Sequence, residues 1–351
     1  MRLSTRSRTV PFISLIAASA LALTGCAGAT SAEVGSGSGT TNAGVLTIYA
    51  GRDEALISPL LEMFTAETGI AVDVRYGTSP ELAALLIEEG DRSPANVFLS
   101  QDAGALGALS TADLLAGLPN DITEVIPQDF SSTNSDWVGV TGRARVIAYD
   151  SQKIAATDVP DSVLELTAPQ WSGRVGFPPG NASFQSFVTA LRVIEGETVA
   201  EQWVSDMAAN SPVLTEKNGA TLDLVNSGQL DIALINHYYW YQSAAELGVE
   251  NMRAQLKFLP GDAGGIVNVT GAGIMKGSAS NAEALQFLRF LISSAAQQYF
   301  VNETFEYPLL PGIDAPVGLP SLSSLANVEL NLDDLESLSD TQRMLAKHGL
   351  L

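Results

Sequence analysis

The sequence predicts an α/β protein with doubly wound parallel sheet. Two observations point there. Residues 46–50, 70–76 and 96–100 are short apolar runs of strand length, and helical periodicity fills the gaps between them. A strand–helix–strand–helix–strand order makes successive strands parallel, because each helix carries the chain back along the sheet face. Length adds a third constraint: the body after residue 45 is too long for one small domain and comfortable for two.

Each element has a local cause. In the first helix Leu56, Leu60, Leu61 and Phe64 fall on one face, and Gly69 stops it. Ser79-Pro80 opens the second helix, with proline at a position where its missing N–H costs nothing, and Gly90 ends it. Residues 145–150 form a strand leading away from the first sheet, and 174–177 form another. Helices are expected near 184–195, 199–207 and 220–227. The apolar run 231–235 is a buried strand. Residues 267–275 are extended and carry the chain back toward the first sheet. Residues 282–300 are strongly helical, Glu306-Tyr307-Pro308 breaks that pattern, and a short helix follows near 339–345.

The N-terminus is a targeting segment. Arg2, Arg6 and Arg8 precede a short apolar run at 12–23, too short and wrongly flanked for a stable membrane span. The run ends in Leu23-Thr24-Gly25-Cys26, which resembles a bacterial lipobox and implies cleavage after residue 25 with lipid on Cys26; an ordinary cleaved signal is the alternative. Cys26 is the only cysteine, so no internal disulfide and no thiolate metal site is possible. Residues 26–45 are dominated by small and polar side chains and serve as a flexible tether. Loss of the three signal arginines takes the 18 basic residues to 15 against 39 acidic ones, a net charge of −24. That excludes nucleic acid as a partner and suits a body that attracts cations.

Chemistry concentrates at strand ends, where α/β sheets place ligands. Asn236-His237-Tyr238-Tyr239-Trp240-Tyr241 follows the buried strand 231–235. Neighbouring residues on a regular strand face opposite ways, so Tyr238 and Tyr239 share a ligand only at a strand-to-helix corner. Two phenol oxygens on one point suit a hard, highly charged metal ion. Packing, or a platform for an organic ligand, is the other reading. Arg52-Asp53 and Gln101-Asp102 sit at two more strand ends, although either aspartate also suits a helix N-cap. Arg143 and Arg145 place two guanidinium forks together, a pattern suited to an oxyanion or to solvent. The small-residue loop 178–183 opens a helix and offers backbone N–H groups. His237 and His348 are the only histidines, which leaves little room for a Ser-His-Asp triad or a histidine-rich zinc site. The chain is therefore expected not to be an enzyme.

Together, Tyr49-Ala50-Gly51-Arg52-Asp53-Glu54, Glu88-Glu89-Gly90-Asp91, Pro94-Ala95-Asn96-Val97-Phe98, Gly142-Arg143-Ala144-Arg145 and residues 236–241 resemble the bacterial ferric-ion-binding proteins, the extracytoplasmic receptors of iron(III) ABC importers. The resemblance covers nearly all of the mature chain. It implies two doubly wound α/β lobes joined by hinge strands, with a ligand cleft between them. The first lobe is expected at 46–145 plus 269–310, the second at 146–268 plus 311–351. Tyr238 and Tyr239 match the family's phenolate ligands to Fe(III), and Asp53 stands as a further metal ligand. Asn181, Ala182, Ser183, Asn218 and Asn236 match anion contacts, with Arg52, Arg143 and Arg145 balancing the charge of carbonate, phosphate or citrate. Members with a first-lobe His and Glu carry them where this chain has Asp53 and Gln101, so Gln101 and Asp102 are cleft candidates only. Phe177 stands near a place where some members carry another tyrosine. The implied partners are an ABC permease and its ATPase, with membrane contact through the lipid alone, for a monomeric extracytoplasmic receptor. The rival is a receptor on the same scaffold for a polyamine, thiamine or sugar phosphate.

Overall fold

The computed structural model describes residues 44–325 and 330–351. The signal segment, Cys26 and the tether as far as residue 43 lie outside the described residues.

The first half forms in the expected order: β1 (Leu46–Ala50), α1 (Glu54–Thr68), β2 (Val72–Tyr76), α2 (Ser79–Glu89) and β3 (Val97–Ser100). β1 pairs in parallel with β2 on one side and β3 on the other. Asp53 caps α1 by accepting from the Ala55 N–H, and Gly69 ends it at φ 73°. Ile57, Leu60, Leu61 and Phe64 are buried from this helix. Leu56, expected on that face, is only partly buried, because Ile57 occupies the inward position. Thr78 and Glu81 form a reciprocal capping box at the start of α2. A Cβ on Gly51 would lie 2.0 Å from Ser79 Oγ, so only glycine lets α2 close on the end of β1.

α3 (Ala103–Thr111) and the short α4 (Asn120–Thr123) lead to β4 (Trp137–Asp150), fourteen residues buried along their whole length. The sequence showed only its second part, from residue 145. A strand covered on both faces has no polar alternation to betray it. β5 (Val175–Phe177), α5 (Ala182–Glu195), α6 (Glu197–Ala209), β6 (Val213–Leu214), α7 (Asn218–Asn226), β7 (Ile232–Asn236), α8 (His237–Leu247) and β8 (Ala254–Phe258) build the second half. β9 (Val267–Ile274) then returns, antiparallel to β3 and to β4. Along β4, residues Trp137–Ala144 pair with β9, whereas the stretch from Arg145 pairs with β7 and β8. The sheet is therefore mixed, in the order β2-β1-β3-β9-β4-β7-β5-β6, parallel along β2-β1-β3 and along β7-β5-β6 and antiparallel at the β3-β9, β9-β4 and β4-β7 pairings.

The expected helix over 282–300 is two: α9 (Ala282–Leu291) and α10 (Ser294–Tyr299). Ser293 makes the break, its hydroxyl accepting from the Ala296 N–H as a new N-cap. A π-helical turn, Phe300–Thr304, follows and ends at Phe305 with φ 57°. β10 (Tyr307–Pro308) pairs with β4. After α11 (Leu322–Leu325), a 3-10 turn at Leu332–Glu336 packs on α3. Gly104 and Gly107 permit that approach: a Cβ on Gly104 would lie 2.9 Å from the Leu335 carbonyl oxygen. α12 (Leu338–Lys347) rests on α5, where Thr341 meets Thr189 at 2.7 Å and Arg192 Nη1 at 2.9 Å. The C-terminal segment thus touches helices of both halves.

Candidate metal and anion site

β7 ends at Asn236, and α8 begins at His237. The corner needed for two adjacent tyrosines to act together is present. The Tyr238 and Tyr239 rings stack with centroids 4.2 Å apart and 29° between planes. Tyr238 is buried and Tyr239 borders a cleft. Burial pushes the Tyr238 phenol well above its ordinary pKa, and a charge on Tyr239 would push it further, while Arg52 and Arg143 work the other way. A buried phenol held neutral in this way gives up its proton more readily when a hard cation takes its place than to water.

His237 is a positioning residue. Its Nδ1 accepts from the Ala144 N–H at 3.1 Å, so Nε2 carries the proton and donates to the Phe305 carbonyl at 2.9 Å. Both nitrogens are used, which fixes the start of α8 to β4 and to the end of the π turn. Burial depresses its pKa to about 4. The unfolded chain's histidine, near 6.5, then takes up a proton that the folded form refuses. Stability is full above about pH 6.5 and falls as pH drops toward about 4, by roughly 3 kcal/mol in the limit. Denaturant unfolding of iron-free protein across that window is expected to show this loss, and His237→Gln should flatten it.

Three guanidiniums surround the tyrosines. Arg143 and Arg145 lie two apart on β4 and so project from the same face. Arg145 donates to the Leu234 carbonyl at 2.9 Å and to Ser183 Oγ at 3.4 Å, and sits over the rings of Phe184 and Phe187. Burial and then Arg143 lower its pKa to about 9. Arg143 donates to the Val269 carbonyl, while its Nε and Nη1 have no hydrogen-bond partner among the described residues. Arg52 donates to Thr270 Oγ1 at 2.8 Å and lies 5.9 Å from the centre of the Tyr238 ring. Its ion pair with Glu306 is 2.9 Å long and almost wholly buried. Burial would lower the Arg52 pKa, but Glu306 and the two tyrosines outweigh it and the net shift is upward.

Other buried donors are also unspent. Among the described residues Asn236 Nδ2, Asn268 Nδ2 and Gln101 Nε2 lack partners. Asn236 faces Arg145 across the β4–β7 ladder, and Asn268 faces Arg143 across β4–β9. Asn181 caps α5, taking the Ser183 N–H and hydroxyl, and Asn218 Nδ2 donates to Asn181 and Ser183. Ala182 begins α5 and borders the cleft. Helices α5, α7 and α8 therefore start in one neighbourhood, where their N-terminal dipoles favour an anion. Unused donors beside a surplus of guanidinium charge have the same preference.

The remaining candidates make the following contacts. Asp102 caps α3, accepts from Ala105 N–H and from Ser186 on α5, and has its pKa raised by burial against the opposing pull of Arg143. Gln101 borders the cleft. Asp53 is half exposed; one oxygen caps α1 and the other lies 3.5 Å from Lys217 Nζ. Phe177 stacks on Phe184 at 4.4 Å. Glu306 was missed: the sequence showed it only as part of a helix break. No local pattern marks a lone acid that becomes buried beside an arginine 254 positions earlier in the chain. The described residues contain no cluster of three His, Cys, Asp or Glu side chains able to hold a metal.

Comparison with known proteins identifies the family. Residues 92–329 match the family described as bacterial extracellular solute-binding protein. The major ferric iron-binding protein of Neisseria meningitidis serogroup B is 33% identical over 308 residues, covering 87% of this chain and 93% of that protein. This chain belongs to the bacterial ferric-ion-binding protein family. Among solved structures, iron-bound HitA from Pseudomonas aeruginosa superposes on the family member described here with TM-score 0.83 and 34% identity, covering 87% and 99% of the two chains. Trichodesmium FutA, in complex with iron and citrate, gives TM-score 0.73 at 27% identity, with 88% and 100% covered. As in such ferric-binding relatives, the fold is a two-lobed α/β receptor architecture.

Proposed function

We propose that this chain is an extracytoplasmic iron(III) receptor. It captures ferric ion with a synergistic anion between two lobes and presents it to an ABC-importer permease and its ATPase. The observation that carries this is the stacked Tyr238–Tyr239 pair at the start of α8, backed by three buried guanidiniums. Hard Fe(III) prefers anionic oxygen, and the phenolates supply it. Arg52, Arg143 and Arg145 offset the phenolate charge and, with Asn181, Ala182, Ser183, Asn218 and Asn236, hold a carbonate, phosphate or citrate group. The lobes divide near residue 145, where β4 changes sheet partners, with 146–268 in the second. Cleavage after residue 25 and a lipid on Cys26 keep the receptor at the membrane. Among the described residues no helix is long and apolar enough to cross one.

Each phenol must release a proton to bind iron, so affinity should fall as pH falls. A visible-absorption titration with iron(III), run with carbonate and with citrate, tests the reading. A tyrosinate-to-iron band at one equivalent is the expected result. Protein that stays colourless with either anion, yet is stabilised by a polyamine, thiamine or a sugar phosphate, would overturn it.

A further inference from the structure

We infer that Asp53 and Lys217 form a charge gate across the cleft, governing how fast its contents leave, and that Asp53 is not a ligand to the metal. The inference rests on the iron-receptor reading for its cargo, but the gate itself follows from the walls. The cleft, of about 770 Å³, is bordered on one side by Asp53, Glu54 and Glu81 and on the other by Glu216 and Asp223. Closing it brings like charges toward each other, which opposes closure. Lys217 stands on the second wall, and its ammonium meets Asp53 of the first at 3.5 Å. That contact converts a repulsive approach into an attractive one.

The local roles of the two residues separate gating from folding. Asp53 Oδ1 caps α1, and asparagine caps equally well, so Asp53→Asn removes charge and keeps the helix start. Lys217 occupies the N-cap position of α7 but makes no side-chain cap, so its side chain is replaceable. With one oxygen on the helix and the other toward Lys217, Asp53 has both carboxylate oxygens engaged at the rim. The pair is well exposed, with the Lys217 side chain 72% and the Asp53 side chain 50% accessible, so its influence is modest and salt-sensitive.

The test measures iron release to a competing chelator at low salt, together with the tyrosinate absorption band. Asp53→Asn and Lys217→Gln should each speed release by about two- to fivefold. Lys217→Glu should speed it more, because it adds a further like charge to the second wall. The band should not move in any of these variants, and added salt should erase the differences. A shifted or weakened band in Asp53→Asn would make Asp53 a ligand and overturn the inference. Wild-type release rates in all three single variants, Asp53→Asn, Lys217→Gln and Lys217→Glu, would overturn it too. The iron-free protein supplies an independent reading by small-angle scattering: Lys217→Glu should enlarge the radius of gyration, and an unchanged radius would overturn the gate. If wild-type protein shows no band with iron, the receptor reading fails, and this scattering comparison still decides the gate.

Discussion

Replacing both phenols, Tyr238→Phe with Tyr239→Phe, is expected to abolish the iron-dependent colour and weaken iron binding by well over about a hundredfold. Losing only a residue that orients a ligand commonly costs 10–100-fold in metal affinity, and here two ligands go at once. The rings themselves remain, so the stacking at 4.2 Å and the packing of Tyr238 survive. Among the described residues the Tyr238 hydroxyl makes no hydrogen bond to the rest of the fold, so the iron-free variant should unfold near the wild-type midpoint. Titration by absorbance and by chelator competition checks the first half of this expectation, and thermal unfolding the second. A double variant that still binds iron within tenfold of wild type would remove the phenols from the site.

The second large effect concerns Glu306. Its carboxylate is wholly buried, accepts from Thr141 Oγ1 at 3.0 Å, and is paired with the buried Arg52. Removing one member of such a pair leaves the other as an uncompensated charge, which costs about 3–5 kcal/mol. Glu306→Ala should therefore lower the thermal midpoint of the iron-free protein by several degrees. Replacing the pair together, Arg52→Met with Glu306→Leu, should recover most of that stability, because the desolvation of both charges is relieved. It should not recover iron binding, since Arg52 no longer faces the Tyr238 ring. A Glu306→Ala protein within about 1 kcal/mol of wild type in denaturant unfolding would show that Arg52 finds compensation elsewhere.

The first half of the fold was legible because its signals are local. Gly69, Gly90 and Ser79-Pro80 punctuate a periodic chain, and each acts within one turn of where it stands. The break at Ser293 was local too, but a continuous helical pattern on both sides concealed it. β4 was half hidden because burial on both faces removed its alternation. At the site, the two tyrosines stood out by adjacency, and Arg143 with Arg145 by spacing. What the sequence withheld is how these groups are distributed in space. Asp53 has a backbone amide and a lysine as partners, a consequence of which wall α1 forms. Glu306 depends on the π turn that precedes it, and such a turn has no short sequence signature.

One consequence of the long central strand concerns mechanics. β4 and β9 run without interruption between the halves, hydrogen-bonded to each other from Trp137 to Ala144, with an irregularity between Gly139 and Thr141. No flexible connector lies between the halves along these two strands. An opening of the cleft would then be a flexure of paired ribbons, with the bend expected where the ladder loses register. Such a joint would behave as a leaf spring, with its rest angle set by backbone geometry and its stiffness by the ladder hydrogen bonds. Amide exchange along β4 and β9 should accordingly stay slow in both the iron-free and iron-loaded protein, even while the cleft opens and shuts.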